Sequence, residues 1–185
     1  MELNLSNQFL IAMPTLLDPN FHQTVTYIFA HTKEGATGIV INRPLDLHLG
    51  ELLSQMQMAK PDPKVNTTAV FEGGPVQRDR GFVIHPPTGD WEPTIEVSTK
   101  IDISTSRECL QAIANGRGPK QVLVALGYAG WDSGQLESEI ADNAWLCSPA
   151  EPPIIFDTPA ESRWRRAAEL LGVDVTNISP QPGHA

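Results

Sequence analysis

Gln121-Val122-Leu123-Val124-Ala125-Leu126-Gly127-Tyr128-Ala129-Gly130-Trp131-Asp132 is the stretch on which the fold turns. Its first six residues are mostly apolar and rich in β-branched side chains, the pattern of a strand covered on both faces. Asp132 can cap a helix, with Gln135 three residues on in a variant of the capping box. That helix carries Leu136, Ile140 and Ala141 on one side and Glu137 and Glu139 on the other. Gly127 and Gly130 then fall between a buried strand and a helix N-terminus, where N–H groups lie unpaired and the dipole is positive. Such a junction either holds an anion or is a tight turn packed by Tyr128 and Trp131. The chain contains no Gly-x-x-x-x-Gly-Lys-Ser/Thr, which favours the turn.

Upstream the pattern is mostly strands. Phe9 to Met13 is a short buried strand stopped by Pro14, and residues 17–21 form a turn around Asp18-Pro19-Asn20. Thr24 to Ala30 and Gly38 to Ile41 pair through a hairpin turn at Lys33-Glu34-Gly35, and Asn42-Arg43-Pro44 closes the second of them. Leu49, Leu52, Leu53 and Met56 have helical spacing, and residues 60–64 are a dispensable loop. Ala69-Val70-Phe71 runs into a glycine turn at Gly73-Gly74-Pro75, and Arg80 to His85 is the next strand, with Trp91 to Val97 pairing back on it. Thr105 and Glu108 form a capping box for a helix carrying Leu110, Ile113 and Ala114, ended by Gly116.

Downstream, Trp145-Leu146-Cys147 and Ile154-Ile155-Phe156 are short apolar runs. Thr158, Pro159 and Glu161 supply N-cap, N1 proline and N3 glutamate for a last helix. Its inner stripe is Trp164, Ala167, Ala168 and Leu171, and Gly172 ends it. The tail from Ser179 is expected to be loose. Strands outnumber helices, and hairpins stand beside strand–helix alternation. This predicts one mixed-sheet α/β (α+β) domain over residues 1–185, not a doubly wound one.

The 185 residues carry 13 Lys and Arg against 22 Asp and Glu, a net charge of −9. That balance opposes attraction to phosphate backbones and anionic lipid, so no direct nucleic-acid binding and no membrane association are expected. Arg163, Arg165 and Arg166 are the one basic cluster, diluted by Glu161 and Glu169. Cys109 and Cys147 have no metal-type spacing, and Cys109 shares a helical face with Ile113, so a buried free thiol is expected. No metal site or cofactor is implied. The first residues show neither a charged leader nor a cleavable segment, and the expected setting is the cytosol.

The chemistry-bearing candidates each have a plain structural alternative. Gly73 and Gly74 can form an anion-binding nest or a turn that needs positive φ. Arg43 and Arg80, each beside a turn, can grip a carboxylate or phosphate, or pair with Asp and Glu. His85, with Asp90 five residues on, can be an acid–base pair or a capped strand end. The serines lack a Gly-x-Ser-x-Gly elbow.

Together, several of these motifs resemble one family. Asn42-Arg43-Pro44, Gly73-Gly74-Pro75-Val76, Arg80-Gly81-Phe82-Val83-Ile84-His85, Leu126-Gly127-Tyr128-Ala129-Gly130-Trp131, Gly134-Gln135-Leu136-Glu137 and Asp142-Asn143-Ala144-Trp145-Leu146 stand in the order of the AlgH family, also called YqgE-like, of bacterial proteins. The Phe9–Pro14 and Asp18–Phe21 segments and the Gly183-His184-Ala185 end fit too. The resemblance implies a compact α/β protein with a mixed, partly barrel-like sheet flanked by helices, in a cytosolic bacterial setting. It carries the label of a transcriptional regulator, from a link to alginate production, and brings over no catalytic or binding residue.

Two function classes follow. The first is a non-enzymatic regulatory or binding protein, a monomer acting on an unknown protein or a small anionic ligand near the Gly127–Trp131 junction. The second is a hydrolase or transferase for an anionic small molecule, using Arg43, Arg80 and His85. Convergence of those three side chains in one cleft separates the two.

Overall fold

The computed structural model describes residues 3–58 and 62–178. Part of the loop expected at 60–64 and the tail from Ser179 lie outside the described residues. The remainder of that loop, from Asp62, caps a short helix: Asp62 Oδ1 accepts the Lys64 N–H and Pro63 opens the turn.

The chain begins as an antiparallel meander, β1 (Gln8–Ala12), β2 (Val25–Thr32) and β3 (Gly35–Val40). Next come β4 (Pro44–His48), α1 (Leu49–Gln55), α2 (Pro63–Asn66), β5 (Ala69–Glu72) and β6 (Val76–His85). The short strands β7 (Thr94–Glu96) and β8 (Asp102–Ser104) lead to α3 (Arg107–Ala114) and to β9 (Leu123–Asp132). α4 (Gln135–Ala141), β10 (Trp145–Pro149), α5 (Pro152–Phe156) and α6 (Ala160–Glu169) complete the described order. The sheet runs β10-β1-β2-β3-β9-β6-β8-β7, with β4 and β5 branching from β9. The β5–β9 pair is parallel and the other pairs antiparallel. The result is a curled, half-barrel sheet with six helices among the described residues, an α+β domain as expected.

The sheet corrects the expected junction at its centre. Gly127 to Trp131 is no strand-to-helix turn; β9 runs through it to Asp132. Its first half lies between β5 and β6, and its second half pairs with β3. Leu123 and Ala125 face the cluster covered by α5 and α6, and so does Tyr128, three residues on. Val124 and Leu126 face α1 and α3, while Ala129 and Trp131 join the cluster under α4. Strict alternation would have turned Tyr128 the other way. Gly127, at φ +79°, inserts the extra residue that resets the faces, as a glycine bulge does.

The Gly73-Gly74 turn packs directly on this bulge. A Cβ on Gly127 would lie 2.5 Å from Gly74 O, and one on Gly74 (φ +154°) would lie 2.1 Å from the Tyr128 carbonyl carbon. Gly73 donates its N–H to Leu126 O and accepts from Val40 N, each at 2.8 Å, so this corner ties β3, β5 and β9 together.

Smaller expectations shift for local reasons. The cap of α3 is Ser106, whose Oγ accepts from Glu108 N and Cys109 N, one residue later than expected. Gln135 does return its side chain to the Asp132 N–H at 3.0 Å, but the N-cap of α4 is Gly134. Residues 154–156 are the helical turn α5, and Thr158 is consumed by bonding Pro153 O, leaving Pro159 to begin α6. Trp164 is half-buried and donates its indole N–H to Ala12 O at 2.8 Å, while Leu171 is exposed. β7 pairs with β8, not with β6, because the Ile101-Asp102-Ile103-Ser104 alternation supplies a strand between them.

Gly127→Ala should destabilise the protein by about 3 kcal/mol or more, combining a left-handed backbone with a clash against backbone atoms. Chemical denaturation measures this; a loss within about 0.5 kcal/mol, the usual range for a neutral surface change, would mean the corner yields.

Candidate functional site

His85 closes β6 on the face it shares with Val83, toward α3, and is fully enclosed. Pro86 O, which can only accept, lies 2.7 Å from Nδ1, so Nδ1 carries a hydrogen. Nε2 lies 2.7 Å from Ser104 Oγ, which lies 2.6 Å from Thr94 Oγ1; Thr94 Oγ1 in turn donates to Trp91 O at 2.5 Å. Thr94 spends its hydrogen on Trp91 O, so the single Ser104 hydrogen serves either Thr94 Oγ1 or Nε2 and not both. Given to Nε2 of a neutral ring, it sets up the relation of a nucleophilic hydroxyl to its general base. Enclosure blocks that use: Ser104 and His85 are each 0% exposed, and Trp91 closes edge-on over the imidazole at 5.6 Å. Burial pushes the Cys109 thiol up to about 11 against an opposing hydrogen bond from Ser104, so it remains a thiol.

Asp102 stands beside this cluster. It is the cross-strand partner of both His85 and Glu96. It is 8% exposed, and its Oδ1 has no hydrogen-bond partner. Burial raises its carboxyl above the usual range; His85 draws it down and Glu96 pushes it further up. Asp102 lines an open groove of about 610 Å³ with Pro87, Glu96, Val97, Ser98 and Thr99.

The other expected site residues are placed as follows. Arg43 donates to Pro19 O at 2.7 Å and His22 O at 3.0 Å, pinning the β1–β2 loop. Arg80 stacks over Phe82 at 5.1 Å, on the face of β6 opposite to His85. A rise of five strand steps also sets Arg80 about 17 Å from His85 along β6. Arg43, Arg80 and His85 therefore do not meet in one cleft. Gly73, Gly74 and Gly127 do come together, but backbone against backbone, with the Gly73 N–H already spent on Leu126 O. Gly130 pairs with Thr37 inside the sheet. Trp131 is buried, stacks on Phe21 and donates to Glu139 Oε2 at 2.9 Å, as does Trp145. Asp90 is exposed and is not the orienting partner of His85.

Sequence reasoning missed Ser104 and Asp102, although the apolar–polar alternation of residues 101–104 is a strand signal. It also missed His31, whose Nδ1 accepts the Leu5 N–H and whose Nε2 donates to Glu137 at 2.6 Å. A backbone N–H first, and His31 second, hold Glu137 below the usual carboxylate range. His31 thus ties β2 to the segment before β1 through Nδ1 and to α4 through Nε2. Among the described residues no three His, Cys, Asp or Glu side chains gather as metal ligands, and no helix is long and apolar enough to cross a membrane.

The fold and this site define a class: an α+β protein on a curled half-barrel sheet, with an enclosed histidine–serine pair and open surface grooves. Comparison with known proteins then fixes the family. Residues 9–176 match the AlgH-like family model, and the chain belongs to that family. A UPF0301 protein of Thioalkalivibrio sulfidiphilus is 56% identical over 182 residues, covering 98% of this chain and 97% of its own. The UPF0301 protein AlgH of Pseudomonas aeruginosa is 50% identical over 182 residues, covering 98% and 96%. The solution structure of Pseudomonas aeruginosa AlgH superposes with a TM-score of 0.80 at 48% identity, covering both chains completely. A crystal structure of a Corynebacterium diphtheriae protein shares the fold with a TM-score of 0.70 at 19% identity, over 91% and 89%.

The raised folded-state pKa of Asp102 sets a pH dependence. Its ionised form is disfavoured in the fold, so its contribution to stability falls as pH rises from the unfolded-state value through the folded one. Asp102→Asn should therefore raise the denaturation midpoint at neutral pH and leave it unchanged below the carboxylate range. A variant weaker than the parent at neutral pH would show the carboxylate to be favourably paired.

Proposed function

We propose that this AlgH-like chain is a non-catalytic binding protein of the bacterial cytosol, a monomer whose regulatory effect runs through a protein or small ligand. The observation that carries the reading is the enclosure of His85 and Ser104, which have proton-transfer geometry without access. Cys109 is similarly buried and protonated. The residues that could have gripped an anion, Arg43 and Arg80, are engaged separately.

Direct reading of duplex DNA is disfavoured by charge and by the fate of the basic cluster. Arg163 is buried, donating to Ile41 O and Thr158 O and stacking over Phe71, with burial lowering its pKa to about 10. Arg165 and Arg166 lie 3.8 and 3.4 Å from the Glu169 carboxylate. Binding to duplex DNA at moderate salt should therefore be weak and independent of sequence. A sequence-dependent dissociation constant near 10⁻⁸ M, about that of specific DNA-binding proteins, would overturn this.

The 2.7 Å contact between Ser104 and His85 favours a hydrolase as the second reading. A fluorophosphonate probe, which modifies activated serines, separates the two. The binding reading expects Ser104 to stay unlabelled in the folded protein; covalent labelling that disappears in Ser104→Ala would establish the hydrolase.

A further inference from the structure

A small cavity of about 230 Å³ opens where α1 and α3 meet the face that β6 and β9 turn toward them. Gly81 stands on the face of β6 shared by Val83 and His85, directly opposite Leu126 of β9. Glycine inside a strand weakens it, and marks a bulge, a bend or a place where a ligand or another backbone comes close. At Gly81 the irregular stretch after Val76 is over and regular pairing with β9 has resumed. Its φ lies outside the left-handed range, and a Cβ on it would touch only Leu126 Cδ2, at 4.0 Å. The fold therefore has no need of a glycine here. The missing side chain leaves open the space walled by Leu52, Met56, Leu110, Val124 and Leu126. That space is smaller than the roughly 300 Å³ at which pockets for drug-sized ligands begin, so its occupant is a smaller molecule.

Three polar groups line the same cavity with bonding capacity unused. The Asp79 carboxylate has no hydrogen-bond or ion-pair partner among the described residues, and neither has the Thr105 hydroxyl. Arg107 spends one guanidinium N–H on Met56 O at 2.7 Å, which holds its head group at the C-terminal end of α1. Its other N–H groups have no acceptor among the described residues, and it forms no ion pair with Asp79. A simple carboxylate would satisfy Arg107 and be repelled by Asp79; a simple amine would meet the reverse. A molecule that carries both charges next to an apolar group satisfies the whole lining, through charge-assisted hydrogen bonds at each end. We propose that this cavity binds a free α-amino acid with an apolar side chain. Its carboxylate lies on Arg107 and Thr105, its ammonium on Asp79, and its side chain against Leu52, Met56 and Leu126 in the space that Gly81 leaves. The assignment rests on the binding reading above and names a ligand class for it, in place of the anion expected from Arg43 and Arg80.

The test titrates the intact ¹⁵N-labelled protein with leucine, methionine and phenylalanine, and with glycine, leucinamide and N-acetylleucine for comparison. At least one of the three apolar amino acids should shift the backbone amides of residues 79–81 and 105–110 in a saturable way, and glycine should not. Leucinamide keeps the ammonium of a peptide's first residue and N-acetylleucine the carboxylate of its last. Each should bind about tenfold more weakly than leucine, the loss of one charge-assisted contact. Arg107→Gln should erase the preference for leucine over leucinamide, and Asp79→Asn the preference over N-acetylleucine. Gly81→Val, whose Cβ has room, should keep the fold and abolish binding. Both charged positions are exposed, so their variants test the site even if Gly81→Val fails to fold. No saturable shift with any apolar amino acid, glycine binding as tightly as leucine, or a blocked derivative binding as tightly would each overturn the proposal. So would undiminished binding in a folded Gly81→Val. The fluorophosphonate result stands apart from all of these, so failure of the ligand class and failure of the binding reading remain distinguishable.

Discussion

One strand serves both halves of the curled sheet, and it can do so because backbone meets backbone at a corner without side chains. β9 gives its first half to β5 and β6 and its second half to β3. The reset at Gly127 lets Ala125 and Tyr128 share one face while Trp131 reaches the other, where Phe21, Trp145 and α4 cover it. The Gly73-Gly74 turn fills the space that opens, at a distance no Cβ permits. All three hydrophobic clusters draw on β9, so this contact fixes where each helix docks.

The same corner explains why the arginines disperse. β6 pairs with β9 at Val76 opposite Tyr128 and resumes at Gly81 opposite Leu126, so β6 advances five residues while β9 advances two. The intervening residues, Gln77 to Arg80, bulge outward as the exposed part of β6, with Gln77 at φ +44°. Arg80 is carried out on that bulge and falls back over Phe82. His85, beyond the point where pairing resumes, is drawn into the packing against α3 and Trp91. Residues close together in sequence thus end on opposite faces.

Periodicity was sufficient for the hairpin of β2 and β3, the helix at residues 107–114 with its buried Cys109, and the mixed character of the sheet. It was not sufficient for Gly127 to Trp131. Glycines before a possible cap also describe a bulged strand, and only long-range pairing with β3 decides between them. The short strands β4 and β8 were missed because three to five residues carry little periodicity of their own. For the site, His85 was legible as a polar residue ending an apolar run. Its partners were not, since Ser104 and Asp102 lie about twenty residues on and meet it only through strand pairing. The opposite error was made with Arg43 and Arg80, whose chemistry suggested a ligand while backbone carbonyls and an aromatic ring took them up.

A strand shared in this way also imposes an order of events during synthesis. Val70 pairs with Val124, 54 residues later (124 − 70), and β6 likewise waits for β9. A nascent chain emerging from the ribosome can close the β1–β2–β3 meander early, since those pairings are local. β5 and β6 are made well before their central partner and must stay apart from other chains until β9 emerges. Their apolar residues, Val70, Phe71, Phe82 and Ile84, are exposed during that interval. The time translation takes to reach β9 is thus the window in which these strands stand unpaired, whatever the stability of the finished protein.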